Sequence, residues 1–253
     1  MYKIFSIFIC LLVSTSIFAQ SNAVSDQERK AITASVEKLS KQAGRKFTIT
    51  NIQPTPIPGL FLVTSDLNVF YISKDGDYLV FGDLIDINQD KNNWSLTEKT
   101  SKKLRSEALA KLKESDMIIF PATAAKIGNA YVFTDIDCPY CHKLQDNIQK
   151  YTDKGIEIRY LAFPRSGPKT ASFEKAISVW CAKDKPAAYT ASIEEPDSVK
   201  KNQCNKNPVQ MEFELGERMG VSGTPTIFLD DGTKIGGLVD AKTLVKYIQG
   251  EKK

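Results

Sequence analysis

The chain has 253 residues, 42% of them hydrophobic and 25% charged, and carries a formal net charge of +4. That is an ordinary globular composition, long enough for one large domain or two smaller ones, each with its own core. The most basic stretch, Lys91 to Lys113, is interleaved with Glu98 and Glu107 and followed by Glu114. A basic face studded with aromatic residues is lacking, so no nucleic-acid partner is expected.

The chain opens with Lys3 and an almost wholly apolar run, Ile4 to Val13, followed by small residues at Ala19 and at Ser21-Asn22-Ala23. This is the pattern of a secretory signal peptide over residues 1–19, with cleavage after Ala19 or as late as Ala23. The run is short of the ~20 apolar residues a membrane span needs. Removal of the segment takes Cys10 with it. Cys138, Cys141, Cys181 and Cys204 then remain, an even number that in an exported chain points to disulfides, with three possible pairings.

Ser25-Asp26-Gln27-Glu28 reads as a capping box, and Ile32, Val36, Leu39 and Ala43 recur at helical spacing up to Gly44. Four β-like runs follow, Phe47 to Ile52, Leu60 to Thr64, Val69 to Ser73 and Tyr78 to Phe81. Lys74-Asp75-Gly76-Asp77 is expected to turn the last pair as a hairpin. This predicts an α+β unit over residues 24–90, with a thin core and open sheet edges that a second copy would cover. Ser95-Leu96-Thr97-Glu98 is a second capping box. It starts a charged helix over 95–113 whose apolar stripe is only Leu104, Ala108, Leu109 and Leu112, which reads as a solvent-bridging linker.

From residue 115 to 253 the pattern changes to α/β. Ala130 to Thr134 is a buried strand, Cys138-Pro139-Tyr140-Cys141 follows, and a helix runs through His142, Leu144, Ile148 and Tyr151 to Gly155. Ile156 to Phe163 makes the second strand of a βαβ unit. A largely helical stretch, about Thr170 to Met219, precedes β-like runs at Thr226 to Leu229 and Lys234 to Leu238 and a helix at Ala241 to Gln249. This order, βαβ, helical insertion, ββα, is that of a thioredoxin-like fold.

A Cys-x-x-Cys that opens a helix after a buried strand is a redox motif with a mechanism. The helix N-terminus favours an anion at Cys138, and Cys141, one turn deeper, can attack the mixed disulfide that Cys138 forms. Cys138 is expected to be the exposed sulfur. Pro139 suits an early helical position. A zinc site using Cys181 and Cys204 is the competing reading, but those two cysteines lack the close spacing of a zinc ribbon. Thr224-Pro225, directly before a strand, suits either a cis turn that presents backbone to a bound peptide or an ordinary trans turn. His142 is expected to face solvent, and Asp135 and Asp137 to serve turns and caps.

Phe133-Thr134-Asp135-Ile136-Asp137-Cys138-Pro139-Tyr140-Cys141-His142-Lys143-Leu144 resembles the active-site segment of the bacterial DsbC-type disulfide isomerases. Val221-Ser222-Gly223-Thr224-Pro225 is similar to their cis-proline loop, and Asn51 to Pro56 with Val69 to Gly76 to their dimerisation domain. The resemblance implies Cys138 as the attacking thiol, Cys141 as the resolving thiol, Pro225 as the cis proline and Cys181–Cys204 as a structural bridge. It further implies a periplasmic homodimer that takes misfolded disulfide-containing exported proteins. A membrane electron carrier of DsbD type would keep it reduced, and neither cofactor nor metal is implied. One departure is the Pro139-Tyr140 dipeptide, where DsbC usually has Gly-Tyr. Pro-Tyr occurs in the related DsbG proteins, so a DsbG-like reductase of oxidised single cysteines, or a chaperone, is the alternative.

Overall fold

The computed structural model describes residues 23–44, 46–90, 94–195 and 199–250. The signal-peptide segment and Cys10 lie outside them. Among the described residues no helix is long and apolar enough to cross a membrane.

Helix α1, Asp26–Gln42, begins at the expected capping box, with the Ser25 hydroxyl accepting from the Glu28 N–H and the Glu28 carboxylate accepting from the Ser25 N–H at 2.9 Å. Its buried residues Ile32 and Val36 pack on an antiparallel meander of β1 (Ile49–Pro54), β2 (Leu60–Ser65), β3 (Asn68–Ser73) and β4 (Leu79–Val80), joined in that order. Ile52, Phe61, Val63, Phe70 and Ile72 complete this core. Gly76 is fixed twice over. Its φ is +81°, and a Cβ there would stand 2.3 Å from the Ser35 hydroxyl of α1. The expected fourth strand, Tyr78 to Phe81, shrinks to two residues, with Tyr78 and Phe81 exposed.

Helix α2, Leu96–Leu109, departs from the solvent-bridging linker read from its charge. It ends at Ala110 rather than Lys113. Its first turn covers the second face of the meander, where the Tyr71 hydroxyl meets that of Thr97 at 2.5 Å. Its last turns dock on the following domain: Arg105 is buried and donates to the Gly232 carbonyl at 2.8 Å, Ser106 donates to the Asp230 carbonyl at 2.6 Å, and Lys102 pairs with Asp231. Backbone carbonyls and carboxylates receive the polar side chains, which explains how so polar a helix comes to be packed. Only half of its capping box forms. Ser95 caps the Glu98 N–H at 2.9 Å, but the Glu98 carboxylate is spent on Arg105.

The larger unit is a five-stranded sheet of order β5-β7-β6-β8-β9, with β5 (Ile118–Phe120), β6 (Gly128–Thr134), β7 (Ile156–Ala162), β8 (Thr226–Leu229) and β9 (Lys234–Gly236). The central pair β6–β7 is parallel, as a βαβ crossover requires, and the other pairs are antiparallel. Edge strand β5 has no counterpart among the expected strands, because three apolar residues before Pro121 give too short a pattern to read. Between β6 and β7 the expected single helix is broken at Asn147 into α3 (Pro139–Asp146) and α4 (Ile148–Thr152). The helical insertion is α5 (Ala171–Trp180), α6 (Lys185–Glu194) and α7 (Val209–Arg218), with residues 199–207 non-helical, and α8 (Ala241–Ile248) closes the domain. Tyr131, Phe133, Phe163, Phe213 and Phe228 lie in one continuous core around the sheet.

Candidate active site

Cys138 is the N-cap of α3, in extended conformation, with Pro139 at the first helical position where a missing N–H costs nothing. The Cys141 and His142 N–H groups donate to the Cys138 carbonyl at 2.9 and 3.1 Å, closing the first turn. Facing the motif across the sheet end is the loop before β8, in which the Thr224–Pro225 peptide is cis. The Cys138 sulfur lies 3.2 Å from the Thr224 carbonyl. Strands β6 and β8 bring these segments together from 86 residues apart, through the antiparallel pairing of Phe133 with Thr226.

Both thiols are unbridged and buried: Cys138 is 1% exposed and Cys141 0%. This corrects the expectation of an exposed attacking sulfur. Cys138 is tucked against the cis-peptide loop, so exposure does not distinguish the two thiols. Electrostatics does. The Cys141 thiol donates to the Cys138 sulfur, and this outweighs the opposing burial; the N–H groups of Cys141 and Tyr140 act in the same direction. Together they lower the Cys138 thiol from its ordinary value of 9.0 to about 5. Burial first, and then the neighbouring Cys138 sulfur, push Cys141 strongly up from the same starting value. One sulfur is a ready thiolate at neutral pH and the other a held thiol.

The flanking carboxylates have structural partners. Burial would raise Asp135, but Arg165 donates to it through its side chain at 2.9 Å and its backbone at 3.0 Å. The Asp137 N–H and Ser172 hydroxyl add to this, and the carboxyl is net lowered. Asp137 pairs with Lys175 at 2.9 Å. His142 does not simply face solvent; its ring Nε2 meets the Ile136 carbonyl at 2.5 Å, which holds the loop before the motif. Tyr140 is 58% exposed, with the Lys143 ammonium 5.2 Å from its ring centroid. Cys181 and Cys204 are bonded to each other, across 23 residues of sequence.

Residues 22–98 match the family described as the disulfide bond isomerase protein N-terminal domain, and residues 113–250 match the thioredoxin-like domain. The thiol:disulfide interchange protein DsbC of Salmonella typhimurium is 33% identical over 242 residues, which cover 96% of this chain and 96% of that protein. The chain belongs to the DsbC family. The DsbC proteins of Escherichia coli and Haemophilus influenzae are each 32% identical, over 87% and 98% of this chain and 89% and 98% of their own lengths. The two-unit architecture, a DsbC-type N-terminal domain followed by a thioredoxin-like domain, is the family's.

Two polar residues at this site escaped sequence reasoning. Thr134 ends β6 and its hydroxyl meets that of Tyr189, from the helical insertion, at 2.7 Å, both buried. No spacing rule joins residues 55 positions apart in sequence. Only the order of the fold, which packs α6 against α3, brings them together.

Proposed function

We propose that this chain is a thiol:disulfide isomerase of exported proteins, in which Cys138 attacks non-native disulfides and Cys141 resolves the mixed disulfide. The observation that carries this reading is the Cys138 sulfur at the start of α3, 3.2 Å from the Thr224 carbonyl of the cis Thr224–Pro225 peptide, with its thiol lowered to about 5 and that of Cys141 pushed up. In the first step the Cys138 thiolate forms a bond to one client sulfur and the other client sulfur leaves as a thiolate. That client thiolate then attacks a second client disulfide, and return of a client thiolate to the mixed bond frees Cys138 with a rearranged client. When the client stalls, Cys141 attacks Cys138 and the client departs as a dithiol. Thr224 and Pro225 contribute the backbone edge beside which the client chain would lie, and Pro139 and Tyr140 the exposed rim.

The oxidised form then needs an electron donor, and a membrane carrier of DsbD type fits an exported dithiol. Residues 24–90 are the proposed dimerisation domain. Its short β4 edge, with exposed Tyr78, Val80, Phe81 and Ile87 on and just beyond it, is an apolar surface of the kind a second copy covers. The Cys181–Cys204 bridge is the proposed structural disulfide that pins the insertion.

The test is recovery of activity from a scrambled multi-disulfide protein. The reduced full chain should restore activity catalytically, Cys138→Ser should not, and Cys141→Ser should accumulate trapped client. Equal recovery by Cys138→Ser would overturn the reading. Light scattering should report a dimer for the full chain and a monomer for a fragment beginning at Ser95, which keeps α2 docked on its own domain.

A further inference from the structure

Resolution by Cys141 poses a chemical problem that the motif does not solve. Cys141 must act as a thiolate, yet it is wholly buried and its thiol is pushed strongly up. The carboxylates closest in sequence are committed elsewhere, Asp135 to Arg165 and Ser172 and Asp137 to Lys175. The groups that oppose the rise at Cys141 are the hydroxyl of Thr134, the last residue of β6, and the N–H of Asp135.

Thr134 is not an isolated hydroxyl. It shares a 2.7 Å hydrogen bond with Tyr189 of α6, in which either oxygen can be the donor. The tilted packing of Tyr189 against Tyr160, with ring centroids 4.5 Å apart, fixes the phenol in place. Tyr160 in turn donates to Gln145 of α3 at 3.0 Å, and Gln145 donates to Thr190 at 2.9 Å. A hydroxyl has one proton to donate. If Tyr189 donates to Thr134, the Thr134 proton is free to point at sulfur. If Thr134 donates to Tyr189, it is not.

We propose that Thr134 is a catalytic residue of the resolving step, donating its hydroxyl proton in a hydrogen bond to the sulfur of Cys141 as negative charge develops there, and that Tyr189 is the positioning residue that turns that proton toward the sulfur. The step balances without another reagent. A Cys141–Cys138 S–S bond forms, the Cys138–client S–S bond breaks, and the client sulfur leaves with the electron pair. The proton that Cys141 gives up ends on that leaving client sulfur, so the client departs as a thiol. Thr134 keeps its own proton throughout, acting as a hydrogen-bond donor. The helical insertion thereby gains a role in the chemistry, since it carries Tyr189.

This rests on the assignment of Cys138 as attacking and Cys141 as resolving, so the experiment separates the two. The full-length reduced protein is reacted with an aromatic disulfide that releases a coloured thiol twice, once when Cys138 is modified and once when Cys141 resolves the adduct. Stopped flow yields both rates, and peptide mapping of an acid-quenched sample locates the adduct. Thr134→Val should lower the ratio of resolution to attack by about tenfold or more, the worth of one hydrogen bond to a charged atom. Thr134→Ser should restore the ratio to within about threefold of the original chain. Tyr189→Phe, which removes one oxygen and leaves the ring contact, should lower it by a smaller factor and serves alone if Thr134→Val does not fold. A merely structural role would lower the melting temperature without changing that ratio. An unchanged ratio in Tyr189→Phe and in any folded Thr134→Val protein overturns the inference. An adduct found on Cys141 instead overturns the assignment beneath it.

Discussion

Replacing Cys141 with Ala removes the interaction that does most to keep Cys138 ionised, the hydrogen bond from the Cys141 thiol to the Cys138 sulfur. A hydrogen bond to a charged group contributes about 1.5–3 kcal/mol, and a tenfold change in an ionisation constant corresponds to about 1.4 kcal/mol. The midpoint for Cys138 should therefore rise from about 5 to between ~6 and ~7 in the variant. Ultraviolet absorbance of the thiolate, titrated from acid to neutral pH, reads this directly. The sign follows from the charge: with the donor gone the anion is less favoured, so more alkali is needed to form it. Alkylation offers a second reading. Above both midpoints the variant should react roughly three- to tenfold faster, because a more basic thiolate is the better nucleophile. Cys141→Ser keeps a donor in place and should hold the midpoint below that of the Ala variant. A Cys141→Ala midpoint still at about 5 would refute the view that the second thiol, rather than the helix terminus and loop, sets the first one's charge.

Removing the Cys181–Cys204 bridge by a double Ala substitution frees a loop of 23 residues' separation, which should cost about 3 kcal/mol in denaturant unfolding; unchanged stability would deny it a structural role. Glu212 is buried and accepts from the Ala162 N–H at 2.7 Å. Burial raises its carboxyl well above 4.5, with Lys185 opposing and Asp116 reinforcing the rise. Its contribution is present in full below the unfolded value of 4.5 and is lost as pH rises toward the folded one. In the oxidised protein, where the active cysteines do not titrate, Glu212→Gln should flatten the fall in stability above that pH, and parallel pH profiles would contradict this. Gly232 has a φ of +81°, and a Cβ there would stand 1.9 Å from the Lys102 carbonyl of α2. Gly232→Ala should cost at least ~1–3 kcal/mol by lifting α2 from its dock, and unchanged unfolding would mean the helix is not held there.

Local signals carried most of the fold into the sequence. Ser25 and Glu28, Gly76, the apolar β6 run and the Cys-x-x-Cys spacing each act over a few residues, and each predicts its element. What stayed hidden depends on partners distant in the chain. Helix α2 looked solvent-bridging because nothing in its pattern reveals that the Gly232 and Asp230 carbonyls wait for Arg105 and Ser106. The burial of Cys138 depends on Thr224, 86 residues on, and the Thr134–Tyr189 pair on an insertion whose packing has no periodic signature. The direction of the Cys138 shift was legible where exposure was not, although its largest cause is the Cys141 thiol and the N–H groups at the helix start only add to it.

The most direct test of the site assignment is to trap a client on the protein and identify the bond. The full-length Cys141→Ser variant, reduced and mixed with a scrambled multi-disulfide protein, should accumulate a mixed disulfide whose digest places the client sulfur on Cys138. The matching Cys138→Ser variant should trap none. A client bound through Cys141 in the Cys138→Ser variant, or no trapped client in the Cys141→Ser variant, would contradict the assignment of Cys138 as the attacking thiol.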